Sequence, residues 1–212
     1  MFVSRRHLIT TGTGAVLAGI SGIARAITPT SAQELGPFYP VNHLADTDFD
    51  LTRVHGRSGM ARGTAINVVG RVLDTKGNPV PSARLEIWQA NAAGRYFHPG
   101  DLANPAPLDP NFQGFAQLKT GSDGHFRFRT IKPGAYPTGG GNWRTPHIHV
   151  DVTGHAERLT TQMYFPGEAL NAKDSVLAYA DPKESVMSRA IGPLSGDPSA
   201  QAFAWDIVLA VG

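Results

Sequence analysis

Apolar and polar side chains alternate with a period of two along much of the chain after residue 65. This period is typical of β-strands with one buried face, because successive side chains of a strand point to opposite sides. The 24 glycines and 16 prolines supply turn sequences between these runs. The pattern predicts an all-β fold, an antiparallel β-sandwich with long functional loops and one short helix. The predicted strands are 66–73, 83–88, 115–120, 125–130, 143–152, 159–165 and 203–209.

Local signals between the strands predict how they are connected. Gly-Ser-Asp-Gly at 121–124 predicts a hairpin turn that pairs the strands on either side of it. Asp181, followed by Pro182 and Glu184, combines an N-cap, a proline at the first helical position and a capping-box acid, and predicts the short helix over about residues 181–190. Residues 89–114 show no period, and a loop of that length in a compact domain is usually functional or disordered.

The N-terminus has the zones of an export signal. A twin-arginine pair, Arg5 and Arg6, precedes a mildly apolar run and an Ala-Arg-Ala cleavage sequence that ends at Ala26. We therefore predict a twin-arginine signal peptide over 1–26, an extended segment over 27–64 and one sandwich domain over 65–212. The mature protein is expected in the periplasm or outside the cell. It is not expected in a membrane, because Gly and Thr make the apolar run too polar and too short to span one.

Removal of the signal changes the charge of the protein. The full chain has a net charge of +2, but residues 1–26 contain three arginines and no acidic residue, so the mature chain has 16 basic and 17 acidic residues. This balance excludes a basic footprint for nucleic acid. The chain has no cysteine, which excludes disulfides, thiolate metal sites and cysteine nucleophiles. Its core must therefore stabilise it, with a metal or homo-oligomerisation left open as further contributions.

Candidate metal chemistry begins with His-Ile-His at 147–149. On a strand, the two histidines point to one face, and two imidazoles on a rigid strand make half of a metal site. The alternative is a pair of polar residues facing solvent, and the short motif alone does not decide. Tyr96 in the long loop and Tyr136 before the histidine strand are further candidates. For either one alone, the alternative is an aromatic core residue with a hydrogen-bonded hydroxyl.

A series of motifs in the same order resembles the intradiol ring-cleavage dioxygenases. The likeness covers about residues 70–212, with a weaker echo at Gly-Pro-Phe, 36–38. Its specific parts are EIWQAN (86–91), GRY (94–96), APLDPNF (106–112), FRTIKPG (128–134), WRTPHIH (143–149) and TQMYF (161–165). The resemblance implies a mononuclear Fe(III) ion, one per chain, held by Tyr96, Tyr136, His147 and His149. Phenolate is a hard anionic oxygen ligand suited to Fe(III), and imidazole completes such a site.

The same resemblance implies the reaction and its partners. A small aromatic diol and O₂ would react by cleavage of the ring between the two hydroxyls, giving a cis,cis-muconate-type product. Tyr136 would leave the metal and act as a base, and Arg144 would be a catalytic cation that stabilises charge developing on the ring. Gln162 and Trp143 would lie around the substrate. For Gln162, a strand amide facing its neighbours is the alternative; for Arg144, a surface arginine is.

Departures from the family and rival functions keep the substrate open. The loop between Tyr136 and His147 is short and glycine-rich, and the chain before Ile66 lacks the helical dimerisation region of some relatives. One rival is an exported, non-catalytic, transthyretin-like β-sandwich that binds a partner. Another is a cupin or zinc hydrolase built on the two histidines. A cupin would place a glutamate shortly after His149, and residues 151–154 supply none.

Replacement of both Arg5 and Arg6 by Lys should abolish export, because the twin-arginine signal depends on the arginine pair rather than on charge alone. The measurement is the amount of mature protein, starting near Ile27, outside the cytoplasm. Arg25→Lys, which keeps the pair, serves as the control and should be exported normally. Normal export of the double Lys variant would contradict the assignment.

Overall fold

A computed structural model of the chain describes residues 26–41 and 47–211. The predicted signal peptide, except for Ala26, lies outside the described residues. The strands are β1 Ala65–Asp74, β2 Arg84–Trp88, β3 Phe115–Lys119, β4 His125–Ile131, β5 Tyr136–Gly139, β6 Asn142–Arg144, β7 His147–Thr153, β8 Arg158–Tyr164, β9 Arg189–Ile191, β10 Gln201–Ala204 and β11 Ile207–Leu209. The helices are α1 Ser175–Ala178 and two 3₁₀ turns, Pro99–Asp101 and Lys183–Val186. Among these residues, no helix is long and apolar enough to cross a membrane.

Two sheets form the sandwich, and β1 organises the first of them. β1 pairs antiparallel with β4 over 65–71, and its other edge pairs parallel with β10 and then with β11. The second sheet has the order β3-β2-β7-β8 and is antiparallel throughout. The nearly all-β sandwich is confirmed, with one difference from the antiparallel prediction: the first sheet is mixed, because β10 and β11 run parallel to β1. β5 and β6 form a separate two-stranded sheet.

The core lies between the inner faces of the two sheets, as the period of two requires. Val68 and Val72 of β1 and Phe128 of β4 are buried on one side. Ile148 and Val150 of β7 are buried on the other. Because side chains of a strand alternate, this places the two histidines of β7 on the outer face of the second sheet.

The strands around residues 121–124 do not form the predicted hairpin. β3 pairs with β2 in the second sheet, whereas β4 pairs with β1 in the first, so the turn crosses between the sheets. Thr120 fixes the end of β3, because its N–H donates to Ala83 O and its Oγ1 accepts from Ala83 N. Beyond the turn, Val72 N donates to Gly124 O and holds the start of β4 against β1.

The C-terminal third also departs from the prediction. The expected helix over 181–190 is only the 3₁₀ turn Lys183–Val186, because Met187 bridges to Tyr164 and the next residues form β9. Strand pairing therefore overrides the local capping signal. A short helix forms earlier, at Ser175–Ala178, where the Asp174 side chain accepts from Leu177 N as its N-cap. The strand predicted over 143–152 is divided into β6 and β7, and the strand predicted over 203–209 into β10 and β11.

Residues 33–39 of the N-terminal segment lie along β8 and over the outer face of the second sheet. Gln33 N donates to Thr160 O of β8, and the Tyr39 hydroxyl donates to Glu86 of β2 at 2.7 Å. Its described parts are extended or in turns, as predicted. The segment therefore covers the face from which the histidines of β7 project.

Gly70→Ala should destabilise the fold strongly. A Cβ at Gly70 would lie 1.8 Å from Trp205 O and 2.9 Å from a ring carbon of Phe126, at the point where β10 gives way to β11. Overpacking of this kind costs about 1–3 kcal/mol or more. The measurement is the free energy of unfolding in urea. Gly192→Ala, where a Cβ meets nothing within 4 Å, is the matched control. Equal stabilities of the two variants would contradict the packing described.

Candidate metal centre

The four predicted ligands come together on the outer face of the second sheet. His147 and His149 are 2% and 1% exposed, which rules out the solvent-facing alternative. Their Nε2 atoms are 3.2 Å apart, and the Tyr136 hydroxyl is 3.5 Å from His147 Nε2. The ring centroid of Tyr96 lies 5.4 Å from that of Tyr136 and 6.3 Å from that of His149. Two residues of one strand thus meet one residue from the long loop and one from the β5–β6 hairpin.

Both imidazoles are held neutral, which is the form that binds metal. His147 Nδ1 is 2.7 Å from Thr145 O, so Nδ1 carries the proton and Nε2 presents its lone pair toward His149. Burial, with help from the nearby Arg144 charge, lowers the pKa of His147 to about 3. Burial, the neighbouring His147 and Arg144 lower the pKa of His149 well below its usual value.

The two phenols are protonated unless a cation joins them. Burial raises the pKa of Tyr96 well above its usual value, and Tyr136 adds to this effect. Burial also raises the pKa of Tyr136, although the Arg144 charge opposes it. The Tyr96 hydroxyl is buried and has no hydrogen-bond partner among the described residues. A buried polar group without a partner costs about 1–3 kcal/mol, so this oxygen is suited to a ligand.

The donor set fits a hard metal ion such as Fe(III). Ordinary metal–imidazole bonds are about 2.0–2.1 Å long, so two nitrogens 3.2 Å apart can share one ion as neighbouring ligands. No group of three His, Cys, Asp or Glu side chains in the described part of the chain could hold a metal. A four-ligand centre at these histidines therefore requires the phenols. The assignment of the four residues as ligands stays a prediction.

Ring contacts hold His149 in place. Its imidazole stacks on Trp88 with a centroid distance of 4.8 Å and an interplanar angle of 10°. A Cβ at Gly36 would lie 3.1 Å from His149 Cε1, and Gly36 has φ +74°, so glycine suits both the space and the backbone. His149 Nδ1 has no hydrogen-bond partner among the described residues. Packing, rather than a second hydrogen bond, therefore orients this ring.

Aromatic residues of the N-terminal segment cover the centre. The Phe38 ring lies 4.6 Å from that of Tyr96 and 6.0 Å from that of Tyr136. Tyr39 packs edge-on against Trp88 at 5.1 Å. In sequence, residues 36–38 resemble the family only weakly. A cavity of about 250 Å³ borders the centre and shares Phe38, Trp88 and Tyr96 with it.

Of the other predicted site residues, two are buried together and one is exposed. Arg144 and Gln162 are buried and bonded to each other, Arg144 Nη2 donating to Gln162 Oε1 at 2.6 Å. The surface alternative for Arg144 is therefore wrong. Trp143 precedes Arg144 on β6, so the two side chains point to opposite sides, and Trp143 is 47% exposed. Its position does not support the predicted contact with substrate.

Two residues that sequence analysis missed join this network. Asp174 Oδ2 accepts from Arg144 Nε at 2.9 Å, and the Tyr164 hydroxyl accepts from Arg144 Nη2 at 3.1 Å. Tyr164 also donates to Gln162 Oε1 at 3.0 Å. Asp174 precedes Ser-Val-Leu, a helix-start pattern that could have identified its capping role. Its contact with Arg144 has no local signal.

Comparison with known proteins gives consistent relatives. A sequence model of the family described as Dioxygenase matches residues 35–211. The protocatechuate 3,4-dioxygenase beta chain of Burkholderia cepacia is 44% identical over 83% of this chain and 77% of the relative. The corresponding alpha chain from Burkholderia cepacia is 38% identical over 70% of this chain and 76% of the relative. A hydroxyquinol 1,2-dioxygenase of Nocardioides simplex is 35% identical over 58% of this chain, which spans only 45% of that relative.

Solved structures agree on the fold. The dioxygenase domain of a dioxygenase carbohydrate-binding protein fusion from Streptomyces sp. SirexAA-E is 28% identical, with a TM-score of 0.64 over 87% of this chain and 100% of that one. An intradiol ring-cleavage dioxygenase from Tetranychus urticae is 19% identical, with a TM-score of 0.66 over 86% of this chain and 94% of that one. At that identity, the second match speaks for the fold alone.

Fe(III) added to the metal-free protein should raise its unfolding temperature, because a ligand that binds only the folded state stabilises that state. The gain in the free energy of unfolding is about 2.7 kcal/mol when the concentration of free ligand is a hundred times its Kd. His149→Ala removes one donor and should lose most of this gain. His125→Ala, an exposed histidine paired with Asp123, is the control and should keep it. Calorimetry with and without iron measures the difference. An equal gain in all three proteins would exclude His149 as a ligand.

Proposed function

The chain belongs to the intradiol ring-cleavage dioxygenases and is an oxidoreductase of that type, and we propose that it cleaves a small aromatic diol between its two hydroxyls with O₂, using one Fe(III) ion. The single observation that carries the site assignment is the convergence of two neutral, buried imidazoles 3.2 Å apart with two buried phenols. Family membership favours this function over a non-catalytic, transthyretin-like module and over a cupin or zinc hydrolase.

Tyr96, Tyr136, His147 and His149 would hold the ion. Ferric iron bound there would supply Lewis acidity toward the diol and redox chemistry with O₂. Two phenolates and two neutral imidazoles balance two of its three charges. One further anion makes the buried site neutral, and a neutral site avoids the cost of net charge in a low-dielectric interior.

We assign different roles to the two tyrosines. Tyr96 is anchored, because its backbone N–H donates to the buried Asp101 carboxylate at 2.8 Å. Tyr136 begins the β5–β6 hairpin, a sheet separate from the two main sheets. Tyr136 would be the base of the site, as the family resemblance implies, and its place on a separate hairpin supports this role. Its phenolate oxygen would then accept a proton from a diol hydroxyl, and the net charge of the site would stay unchanged.

Arg144 would serve as the fixed cation of the site. It is buried, and its charge lowers the pKa of Tyr136 against the effect of burial. A cation there favours the anionic form of Tyr136, and it would also stabilise negative charge that develops on the diol ring. Its orientation is restricted because Gln162 and Tyr164 both bind Nη2.

We further propose that one chain supplies a complete site. Gly36 against His149, and Phe38 against Tyr96, come from the same chain as the four candidate ligands. The Gln162 side chain donates to Glu34 O at 3.1 Å and ties this segment to the site. Because relatives of this chain include both alpha and beta chains, an oligomer is part of the proposal.

Export through the twin-arginine pathway remains part of the proposal. The fold includes residues from the predicted start of the mature protein onward. Ile27 N donates to Thr75 O, and Thr30 and Ser31 are buried. Cleavage after Ala26 would therefore leave these contacts intact. Passengers of this pathway are commonly exported folded, which fits a metal site assembled before export.

The function is tested by O₂ uptake and product analysis with iron-loaded protein and a panel of catechols. Wild type should consume one O₂ per diol and give a muconate-type product. Tyr136→Phe should keep much of its iron, because three donors remain, but turn over about 10²-fold more slowly or worse, because the base is lost. Tyr179→Phe, an exposed tyrosine, is the matched control and should behave as wild type. Full activity of Tyr136→Phe at normal iron content would overturn the dissociating role of Tyr136.

A further inference from the structure

Asp174 is a buried carboxylate that contacts both Arg144 and the backbone N–H of Thr145, two residues before His147. We propose that Asp174 is a positioning residue for the proposed ring cleavage: it sets the orientation of Arg144 and of the turn that carries His147. The inference rests on the proposed function for its catalytic consequence. Its structural part, the orientation of Arg144 and residue 145, can be tested without activity.

The bonds of Asp174 use both of its oxygens. Oδ2 accepts from Arg144 Nε at 2.9 Å and from Thr145 N at 2.8 Å. Oδ1 accepts from Leu177 N at 2.9 Å and caps α1. The Asp174 side chain is 0% exposed, so water does not compete for these donors. One rigidly held carboxylate therefore joins α1 to two consecutive residues at the entrance to β7.

Through Thr145, Asp174 also affects the orientation of His147, a candidate metal ligand. Thr145 O accepts from His147 Nδ1 at 2.7 Å, and this bond sets the tautomer of His147 and the rotation of its ring. Thr145 Oγ1 bonds to Asn171 Oδ1 at 2.8 Å, so a second side chain of the 166–174 loop holds the same residue. Displacement of Asp174 would therefore release Thr145 on one side while Asn171 still held it.

The contact with Arg144 fixes one edge of its guanidinium group. Asp174 occupies Nε, and Gln162 and Tyr164 occupy Nη2. Asp174 and Gln162 thus fix the Nε–Nη2 edge of the planar guanidinium. Asp174 is also the carboxylate that balances the buried charge of Arg144.

The test compares Asp174→Asn in two backgrounds. Asn keeps the size of Asp and its ability to cap a helix, but it loses the charge and one acceptor oxygen. In the wild-type background, kcat per bound iron should fall about 10- to 100-fold with a smaller change in KM, because small misplacements near reacting groups cost rates of this order. In an Arg144→Met background, the same change should lower kcat by a smaller factor than in the wild type, because one of the two groups that Asp174 positions is gone and only the turn that carries His147 remains.

A matched control and a second readout complete the test. Asp197→Asn breaks the same kind of bond, Arg129 Nε to Asp197 Oδ2 at 2.6 Å, away from the candidate centre, and should leave kcat unchanged. In metal-free protein, hydrogen exchange of the Thr145 amide should accelerate in Asp174→Asn. Asp174→Ser, which also caps α1, replaces it in both measurements if Asp174→Asn does not fold.

Three results would overturn the positioning role. They are a normal kcat at normal iron content, equal losses of kcat in the two backgrounds, and unchanged exchange of the Thr145 amide. If wild type cleaves no diol, the proposed function fails instead. The exchange of the Thr145 amide then still decides whether Asp174 holds this turn.

Discussion

The site depends on the burial of two imidazole nitrogens 3.2 Å apart, beside two phenols, in a part of the protein that excludes water. Burial keeps both histidines neutral and both phenols protonated. It also leaves the Tyr96 hydroxyl without a hydrogen-bond partner among the described residues. One bound cation resolves these costs together, because it takes the lone pairs of the imidazoles and favours the phenolates.

The β-sandwich produces this arrangement because the two faces of β7 have different roles. Ile148 and Val150 of β7 lie in the core and fix the position of the strand. His147 and His149 alternate with them, so their backbone is held equally rigidly. The outer face would be open to water in a bare sandwich. The N-terminal segment covers it with Phe38 over Tyr96. The core positions the candidate ligands, and the N-terminal segment shields them from water.

Around the ligands, a second layer of buried groups controls orientation. Trp88 and Gly36 hold His149 by packing, whereas Thr145 O holds His147 by a hydrogen bond. Asp174 contacts Thr145 and Arg144 at once and therefore couples the ligand side of the site to its fixed cation. The two histidines, two residues apart on one strand, are thus held by different physical means.

Local patterns predicted the strands well, because a period of two within one strand needs no knowledge of its neighbours. His147 and His149 were candidates from their spacing on one strand, and the resemblance connected them with Tyr96 and Tyr136. What failed was non-local. The turn at 121–124 has hairpin chemistry, but each flanking strand finds its partner in a different sheet. The capping signal at Asp181 is overridden by strand pairing from Met187 onward.

The same limit applies to the side chains around the site. Trp143 was expected near the substrate because it adjoins Arg144 in sequence, yet alternation on β6 sends the two side chains in opposite directions. Asp174 lies 30 residues from Arg144 in sequence, and nothing in the intervening sequence indicates their contact. Its helix-capping pattern could be read locally, whereas its second function depends on how the 166–174 loop folds back.

X-ray diffraction from crystals of iron-loaded protein, with anomalous data collected at the iron absorption edge, tests the central claim most directly. The account predicts a single anomalous peak per chain, with Tyr96, Tyr136, His147 and His149 each placing a donor atom about 2.0–2.3 Å from it. An iron peak elsewhere in the chain, or any one of these four side chains directed away from the peak, would contradict it.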